Sequence, residues 1–411
     1  MNTYNKKVFY FLIFFNFLVR IFAAYFFGDT KVHMEWGRLV HNLDLTGVLG
    51  INVVLSNFSA MPTYAEPGQT VLPSVFMPPL YAYFIYFLKL VSPNFINLVN
   101  IVIFSQIILA CVSIYIFLRV LIRFVEFKKA LIFTIIFSLF PLYVYSSVQA
   151  SSITLQIFLI LLYFYFILKF LDKKKFKDLS LFSIVSGLLI LIRGEFFVFY
   201  FLTLFYFFVF YKIDFKSFLI SIVISIILIS PYIKRNYNNF DTIVLTKSFG
   251  YNLLKGNNSD LKVEGSTDFI EKNFSQKNIK IKTDNNYEIN LDNFYKEKAI
   301  QIIKSEPITY LSLYIKKIFS FLFLDFKSSY PNYYNLFHII PKILLSILSF
   351  IGLVVSLKKR GFFQFIGLFY LSNIMLFSIF FILPRYSLML LPIQLLLATK
   401  AVKFLRIKFI N

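Results

Sequence analysis

Long apolar runs alternate along the chain with short polar connections and two longer polar segments. Runs such as Phe218–Ile229 and Ile343–Val355 carry few or no charged residues, which is typical of helices that cross the hydrocarbon core of a membrane. The pattern predicts about ten transmembrane helices, near residues 8–27, 98–120, 130–147, 152–171, 178–193, 195–211, 215–232, 340–357, 362–383 and 385–405. We therefore expect an all-α polytopic membrane protein.

Two shorter apolar stretches do not fit this alternation. Leu80–Val91 and Leu311–Phe323 are short for a transmembrane helix, and counting either one as a span would move a later basic connection to the other side of the membrane. We expect both to form interfacial helices on the outer membrane surface. Two polar segments, residues 28–93 and 234–306, then face outward.

Positive charge marks the orientation of the chain. It has 42 Lys and Arg against 20 Asp and Glu, a formal net charge of +22, which in a soluble protein would indicate a nucleic-acid partner. Here the basic residues cluster in short connections, at residues 5–7, 119–129, 169–177, 212–216, 358–360 and 403–408. Because short basic loops face the cytoplasm, we place both termini inside. We expect the lipid bilayer as a partner, and no nucleic acid.

Composition supports the same class. The 411 residues are 58% hydrophobic and 15% charged, with a mean hydropathy of +0.73, and a soluble protein could not bury so much apolar sequence. The single cysteine, Cys111, excludes a disulfide within the chain and a cysteine-based metal cluster. No group of residues has metal-ligand spacing, so we predict neither a metal nor another cofactor.

Asp29 is the first candidate for chemistry. It follows the first apolar run directly and opens a polar stretch that reaches Trp36. A carboxylate at the mouth of a transmembrane helix, followed by a long loop with short helices of its own, indicates chemistry at the membrane surface. A plain bundle of membrane helices has no need of this arrangement.

Two tight turns carry charges that topology does not explain. Arg193-Gly194-Glu195 and Pro384-Arg385-Tyr386 each lie between two apolar runs, on the outward side of the predicted topology. Charged residues at such places are costly unless they are paired or face a polar cavity. One interpretation is a clamp of two arginines for a phosphate group. The other is an ion pair in the first turn and an interfacial arginine in the second.

Seven motifs, in order along the chain, together resemble a known family. They are Gly28-Asp29 followed by Trp36 and Leu39, Met77–Tyr83, Leu191–Glu195, Ser230–Tyr237, Ser248–Asn258, Tyr295–Ala299 leading to Glu306-Pro307, and Arg385–Pro392.

The family is that of the membrane-integral GT-C glycosyltransferases that use polyprenyl-phosphate sugars. The chain is most similar to the bacterial branch akin to glycosyltransferase family 39, which includes protein O-mannosyltransferases and the lipid A aminoarabinose transferase. The resemblance implies transfer of a sugar, usually with inversion, to a lipid, glycan or protein acceptor. It also implies a bacterial inner (plasma) membrane protein whose active site faces the periplasm.

The resemblance implies roles for particular residues. Asp29 becomes the general base that deprotonates the acceptor hydroxyl. Many relatives have a second acid beside the first, but Thr30 follows Asp29 here, so Glu35 or Glu66 is expected to supply the second catalytic carboxylate. His33 is a further candidate as a ligand or hydrogen-bond partner.

The same resemblance implies residues that bind the substrates. For the donor and its phosphate they are Arg193, Glu195, Arg385 and Tyr386. For the rest of the substrate they are Pro79, Tyr81, Arg235, Asn257 and Asn258. Turn formation is an equal explanation for the last two.

The predicted organisation has three parts. Residues 1–233 form an N-terminal transmembrane catalytic module, whose first periplasmic loop covers 28–97. Residues 234–310 form a small periplasmic domain. Residues 311–411 form a C-terminal interfacial helix and transmembrane module.

Two other functions fit a chain with many spans and a large outer loop. An O-antigen ligase or polymerase would place its key arginine and histidine in the late loop, and His338 lies near that position. A flippase or transporter of lipid-linked sugars would need functional charges at mid-membrane depth, and it would not depend on Asp29. We see no internal repeat of the kind that many transporters contain.

Overall fold

The computed structural model describes residues 3–32, 34–56, 59–93, 96–274, 281–325, 327–328 and 335–409. Within these ranges the chain forms helices and one small sheet. The helices are α1 Thr3–Phe27, α2 Met34–Thr46, α3 Pro79–Val91, α4 Leu98–Leu121, α5 Phe127–Ser138, α6 Pro141–Ser147, α7 Ile153–Lys173, α8 Phe176–Ile192, α9 Phe196–Tyr211, α10 Phe215–Phe240, α11 Phe249–Gly256, α12 Thr267–Asn273, α13 Tyr287–Ser305, α14 Pro307–Leu322, α15 Leu336–Leu357, α16 Phe362–Ser378, α17 Pro384–Leu388 and α18 Leu391–Phe409. The strands are β1 Gly50–Ser56, β2 Ser59–Thr63 and β3 Leu72–Pro73.

Helices form at all ten predicted spans, and the prediction of an all-α polytopic membrane protein is confirmed. Among the described residues, α1, α4, α7, α10 and α15 are long and apolar enough to cross a membrane, and α5 and α6 together make a sixth candidate. Helices α8, α9 and α16 are shorter, with 17, 16 and 17 residues, and α18 is basic towards its end. The count of ten spans therefore stays a prediction.

The basic connections lie together at one end of the bundle, named here the basic end. Arg123, after α4, forms an ion pair of 2.9 Å with Asp172 near the end of α7. Arg360, between α15 and α16, lies 5.3 Å from the ring centroid of Phe210 in α9. The opposite end, named the loop end, carries the first loop and the segment 234–306. This segregation of charge is the pattern on which the predicted orientation depends.

The span at residues 130–147 is broken, with an angle of 55° between α5 and α6. Pro141 lies in the first turn of α6, and because it lacks an N–H it cannot continue the hydrogen-bond ladder of α5. The fully buried Arg20 of α1 donates to the carbonyl of Ser138, the last residue of α5, over 3.0 Å and to Asn16 Oδ1 over 2.9 Å. An arginine inside the membrane thus stabilises the broken end of a helix.

The first loop contains a small sheet as well as helices. Its strand order is β2-β1-β3, with both pairs antiparallel, and Asn52 faces Thr63 while Gly50 faces Pro73. The sequence pattern predicts only short helices in this loop, and the sheet is an addition. Helices form at both stretches predicted to be interfacial, as α3 and α14, and their location at the interface stays a prediction. Helix α3 packs against α2, α4 and α8, whereas α14 packs against α13 and α16.

The segment 234–306 forms a small helical unit around α11, α12 and α13. Leu253 and Leu254 of α11 pack with Phe269 of α12 and Tyr295 of α13 in its core. Helix α11 approaches its neighbours closely, because a side chain at Gly250 would collide with the backbone of α13 and one at Gly256 with the backbone that follows α16. These two glycines of the Ser248–Asn258 motif therefore have a packing role.

A half-buried carboxylate joins this unit to the first loop. Glu288, in the first turn of α13, accepts hydrogen bonds from Ser74 Oγ and from the N–H groups of Val75 and Phe76, over 2.7–2.9 Å. Arg235 at the end of α10 donates to the Ser74 carbonyl over 2.8 Å. Burial raises the pKa of Glu288, while these hydrogen bonds and the charge of Arg235 oppose the rise.

We expect Glu288→Gln to destabilise the protein. Val75 and Phe76 both donate to one oxygen of Glu288, and the amide oxygen can take its place, but the neutral amide loses the charge that strengthens these hydrogen bonds and attracts Arg235, at a cost of about 1 kcal/mol. Thermal unfolding of the purified protein in detergent should show a lower Tm. Glu271→Gln, at an exposed position of α12, is the control and should leave Tm unchanged. An unchanged Tm for Glu288→Gln would contradict this account of the junction.

Candidate active site

Asp29 lies at the loop end, where the chain leaves α1. Its N–H donates to the Val148 carbonyl over 3.3 Å, and the N–H of Ala150 donates to Asp29 Oδ2 over 2.8 Å. The side chain of Gln149 donates to the Phe27 carbonyl over 2.6 Å. The connection between α6 and α7 therefore fixes the half-buried Asp29 in place.

Tyr81 of α3 extends this network. Its hydroxyl donates to Gln106 Oε1 over 2.9 Å, and Gln106 Nε2 donates to the Gln149 carbonyl over 2.7 Å. Trp36 packs edge-on against Tyr81, with ring centroids 5.1 Å apart. Burial raises the pKa of Tyr81 well above its ordinary value, and the negative charge of Asp29 raises it further. Tyr81, predicted from its motif to bind substrate, thus lies close to Asp29.

Glu35 lies at the exposed start of α2 and faces a cluster of charges. Burial and the positive charge of Arg385 lower the pKa of Lys255, whereas the carboxylates of Glu35 and Glu264 raise it. Lys255 belongs to α11 and Arg385 to α17. The fold therefore brings Glu35 of the first loop into the electrostatic environment of the late segment that contains Arg385.

Glu66, the other candidate for a second carboxylate, lies in an exposed turn between β2 and β3. Its N–H donates over 3.0 Å to Gln69 Oε1, which also accepts a hydrogen bond from Asn52. These contacts are those of a turn residue. His33 lies outside the described residues. In the described part of the chain, no three His, Cys, Asp or Glu side chains are grouped as metal ligands.

Arg193 and Glu195 form an ion pair between α8 and α9. Arg193 Nε donates to Glu195 Oε1 over 2.6 Å. The guanidinium lies 4.8 Å from the ring centroid of Phe377 and 5.2 Å from that of Tyr386, and its Nη1 lies 3.5 Å from the sulfur of Met389. Of the two interpretations of this turn, the geometry agrees with the ion pair.

Arg385 and Tyr386 belong to the short helix α17. The Tyr386 ring stacks on Phe377, with centroids 5.5 Å apart, and the Arg385 guanidinium lies 6.0 Å from the centroid of Tyr386. Arg193 contacts the same ring. Two turns that are almost 200 residues apart in the sequence thus meet around one tyrosine.

Asn257 and Asn258 are buried and hold the end of α11. Asn257 donates to the Ile379 carbonyl over 3.0 Å and accepts a hydrogen bond of 3.1 Å from Lys317 Nζ. Asn258 donates to the Lys255 carbonyl over 2.9 Å. Burial lowers the pKa of Lys317 to about 7. These contacts agree with the structural explanation of the two asparagines better than with contact to a sugar.

Pro79 and Arg235 also have structural positions. Pro79 is buried in the first turn of α3, where its missing N–H costs no hydrogen bond. Arg235 donates to carbonyls of the first loop, at Ser74 and Leu49. It therefore anchors the first loop to α10.

A pocket at the loop end, between α6, α14, α15 and α17, is not predicted from the sequence. Lys342 of α15 lies in its wall, only 7% exposed, and donates to Ser387 Oγ over 2.6 Å. His338 and Asp325 line the same pocket. In the sequence Lys342 falls within the predicted span at 340–357. A lone lysine next to a long apolar run was the signal that could have identified it.

Comparisons with known proteins agree with this architecture. Residues 77–234 match the family model described as dolichyl-phosphate-mannose-protein mannosyltransferase; the range contains Tyr81, Arg193 and Glu195. No curated protein matches the chain significantly.

Among solved structures, the oligosaccharyltransferase of Archaeoglobus fulgidus, tethered to an acceptor peptide, superposes with a TM-score of 0.55 at 12% identity. The match covers 98% of this chain and 50% of that protein, so the chain spans about half of the length of this relative. At this identity the likeness shows the fold alone.

The fold is that of a polytopic membrane protein of the oligosaccharyltransferase type. Together with the family match to residues 77–234, this makes the chain similar to the GT-C membrane glycosyltransferases.

We expect the Arg193–Glu195 pair to contribute to stability. In a double-mutant cycle with Arg193→Met and Glu195→Gln, the double variant should lose less free energy of unfolding than the sum of the single variants, by about 1 kcal/mol. The reason is that each single variant leaves one partly buried partner unpaired. Thermal unfolding in detergent measures the effect. The exposed pair Lys129–Glu126, treated in the same way, should show a coupling near zero. Additive losses at Arg193 and Glu195 would contradict the prediction.

Proposed function

We propose that the protein moves one sugar from a polyprenyl-phosphate carrier to a hydroxyl group of an acceptor, with Asp29 as general base. The observation that carries the proposal is the setting of Asp29. One carboxylate oxygen, Oδ2, accepts the N–H of Ala150, and among the described residues no hydrogen bond engages Oδ1. Oδ1 can therefore accept the proton of an acceptor hydroxyl. The hydrogen bond to Oδ2 already holds the carboxylate in position.

The reaction follows from this arrangement. Asp29 takes the proton of the acceptor hydroxyl as its oxygen attacks the anomeric carbon, and the bond from that carbon to the phosphate oxygen breaks. The configuration at the anomeric carbon inverts, because the attack comes from the face opposite to the leaving group. The phosphate leaves as a stable anion, so it needs cations and no general acid. Arg385 is the candidate for that role.

Several findings support this donor and this location. The family model that matches residues 77–234 is named for a lipid-phosphate sugar donor, and the archaeal oligosaccharyltransferase is named for sugar transfer to a peptide. The acceptor class stays open among lipid, glycan and protein. The basic end agrees with the proposed orientation in a bacterial inner membrane, with Asp29 facing the periplasm.

Glu35 is the better candidate for a second functional carboxylate. Its charge acts on Lys255, which in turn lies near Arg385, whereas Glu66 belongs to an exposed turn. We infer that Glu35 balances the cations of the site and leaves proton transfer to Asp29.

Asp29→Asn should lower the rate of sugar transfer at least about 10²-fold, because the amide cannot accept the proton. The amide oxygen still accepts the Ala150 N–H, so the fold should be retained. The assay uses the purified protein in liposomes with a radiolabelled polyprenyl-phosphate sugar and an envelope extract as acceptor. Glu66→Gln is the matched control and should transfer at the wild-type rate. Full turnover by Asp29→Asn would remove the central claim.

Arg385→Gln should lower the same rate by about 10²–10³-fold, since the negative charge on the departing phosphate loses its counter-charge. Arg385→Lys should recover part of the rate, because a point charge remains but the bidentate fork is lost. Arg360→Gln, at the basic end, is the control. Equal rates for Arg385→Gln and Arg360→Gln would contradict a role in transfer.

A further inference from the structure

Gln106 is a fully buried polar residue of the apolar helix α4. Its side-chain oxygen accepts a hydrogen bond from the Tyr81 hydroxyl over 2.9 Å, and its Nε2 donates to the Gln149 carbonyl over 2.7 Å. A buried amide inside a membrane protein costs free energy unless such hydrogen bonds offset it. Gln106 therefore ties α3 to the connection between α6 and α7.

The partners of Gln106 fix the direction of its amide. A backbone carbonyl can only accept a hydrogen bond, so the NH2 group of Gln106 must face Gln149 and its oxygen must face Tyr81. The tyrosine hydroxyl has a single proton, which is thus directed at Gln106. The negative charge of Asp29 also acts on this hydroxyl and raises the pKa of Tyr81, yet the hydroxyl donates to Gln106 and not to the carboxylate.

The connection that Gln106 holds is the one that fixes Asp29. The Val148 carbonyl accepts the N–H of Asp29, and the N–H of Ala150 donates to Asp29 Oδ2. Gln149, whose carbonyl accepts the hydrogen bond from Gln106, lies between these two residues. One side chain thus holds the peptide units that position Asp29 and also directs the proton of Tyr81.

Without Gln106, the buried hydroxyl of Tyr81 would need another acceptor. Helix α6, residues 148–152 and the part of α4 that precedes Gln106 contain no carboxylate. The carboxylate of Asp29 is the negative charge that acts on Tyr81, so it is the acceptor that the surroundings offer. A hydrogen bond from Tyr81 to Asp29 would stabilise the ionised carboxylate and make it a weaker base.

We propose that Gln106 is a positioning residue for sugar transfer. It directs the proton of Tyr81 away from Asp29, and it holds the connection at residues 148–150 against the carboxylate. The inference rests on the proposed function, because its effect on the reaction passes through Asp29 as the base. Gln106 itself does not touch the reacting atoms and exchanges no proton with them.

The test is steady-state transfer by the purified full-length protein in liposomes, with a radiolabelled polyprenyl-phosphate sugar and an envelope extract as acceptor. Gln106→Leu should lower kcat about tenfold, because the base is weakened and less well held. The KM for the donor should stay within about twofold, since no contact to the donor is removed. An unchanged kcat, or a loss confined to KM, would overturn the proposal.

A second substitution separates the direction of the Tyr81 proton from a general loss of packing. Gln106→Leu combined with Tyr81→Phe has no hydroxyl that could turn to Asp29, so it should transfer about threefold faster than Gln106→Leu alone, or better. A general loss of packing predicts the opposite, because two changes in one buried cluster would add their costs. A slower double variant would therefore overturn this role of Gln106.

The chain contains a matched control at the basic end. Tyr206 of α9 donates to Gln364 Oε1 over 3.1 Å, and Gln364 Nε2 donates to the Leu357 carbonyl over 3.2 Å. Gln364→Leu thus removes the same kind of contact far from Asp29, and it should keep the kcat of wild type. Equal losses of kcat in Gln106→Leu and Gln364→Leu would overturn the proposal.

Asp29→Asn tells failure of this inference apart from failure of the proposed function. In that background Gln106→Leu should cause no further loss of rate, because no base is left to position. A further loss, as from an unfolded protein, would overturn the inference. If Asp29→Asn is inactive while Gln106→Leu transfers like wild type, the inference falls and the role of Asp29 stands. If Asp29→Asn transfers like wild type, the role of Asp29 and the inference fall together.

Discussion

The break between α5 and α6 is the constraint on which the candidate site depends. Inside a membrane every backbone carbonyl needs a partner within the protein, and the break before Pro141 leaves the carbonyl of Ser138, the last residue of α5, without a partner along the helix. Arg20 supplies the partner from the neighbouring helix. The break sets the direction of α6, and the connection after α6 then meets the end of α1, where its backbone holds Asp29.

Much of the fold could be predicted because the membrane imposes a simple rule on the sequence. An apolar run long enough to cross hydrocarbon forms a helix, and helices form at all ten predicted runs. The three-stranded sheet of the first loop was not predicted, because short strands in a polar loop leave a weak pattern. Arg20 was not predicted for two reasons. One charge hardly changes the hydropathy of a whole apolar run, and its partner Ser138 lies 118 residues away in the sequence.

For the candidate site, the sequence predicted the end of the bundle at which each residue lies but not its contacts. Counting spans places Asp29, Arg193 and Arg385 at one end, and the fold brings the two arginines to the same tyrosine. Which charges pair depends on how helices pack sideways, and hydrophobic periodicity does not specify that. Glu288 and Lys342 escaped notice for this reason. Glu288 belongs to a polar segment and Lys342 to a predicted span, whereas Lys342 is buried and Glu288 is half-buried and binds the first loop.

The short helices α8, α9 and α16 have a consequence for the surrounding lipid. With 16 or 17 residues each, they extend over about 25 Å, whereas the hydrocarbon core is about 30 Å thick. If they span the membrane, the bilayer thins around them or the turn at Arg193 sinks below the head groups. In either case the head groups of the outer leaflet would lie at the level of α17. A lipid phosphate that moves sideways within this leaflet would then reach α17 over a shorter path. The protein would then draw its substrate from the plane of the membrane, and the water outside would serve only the acceptor.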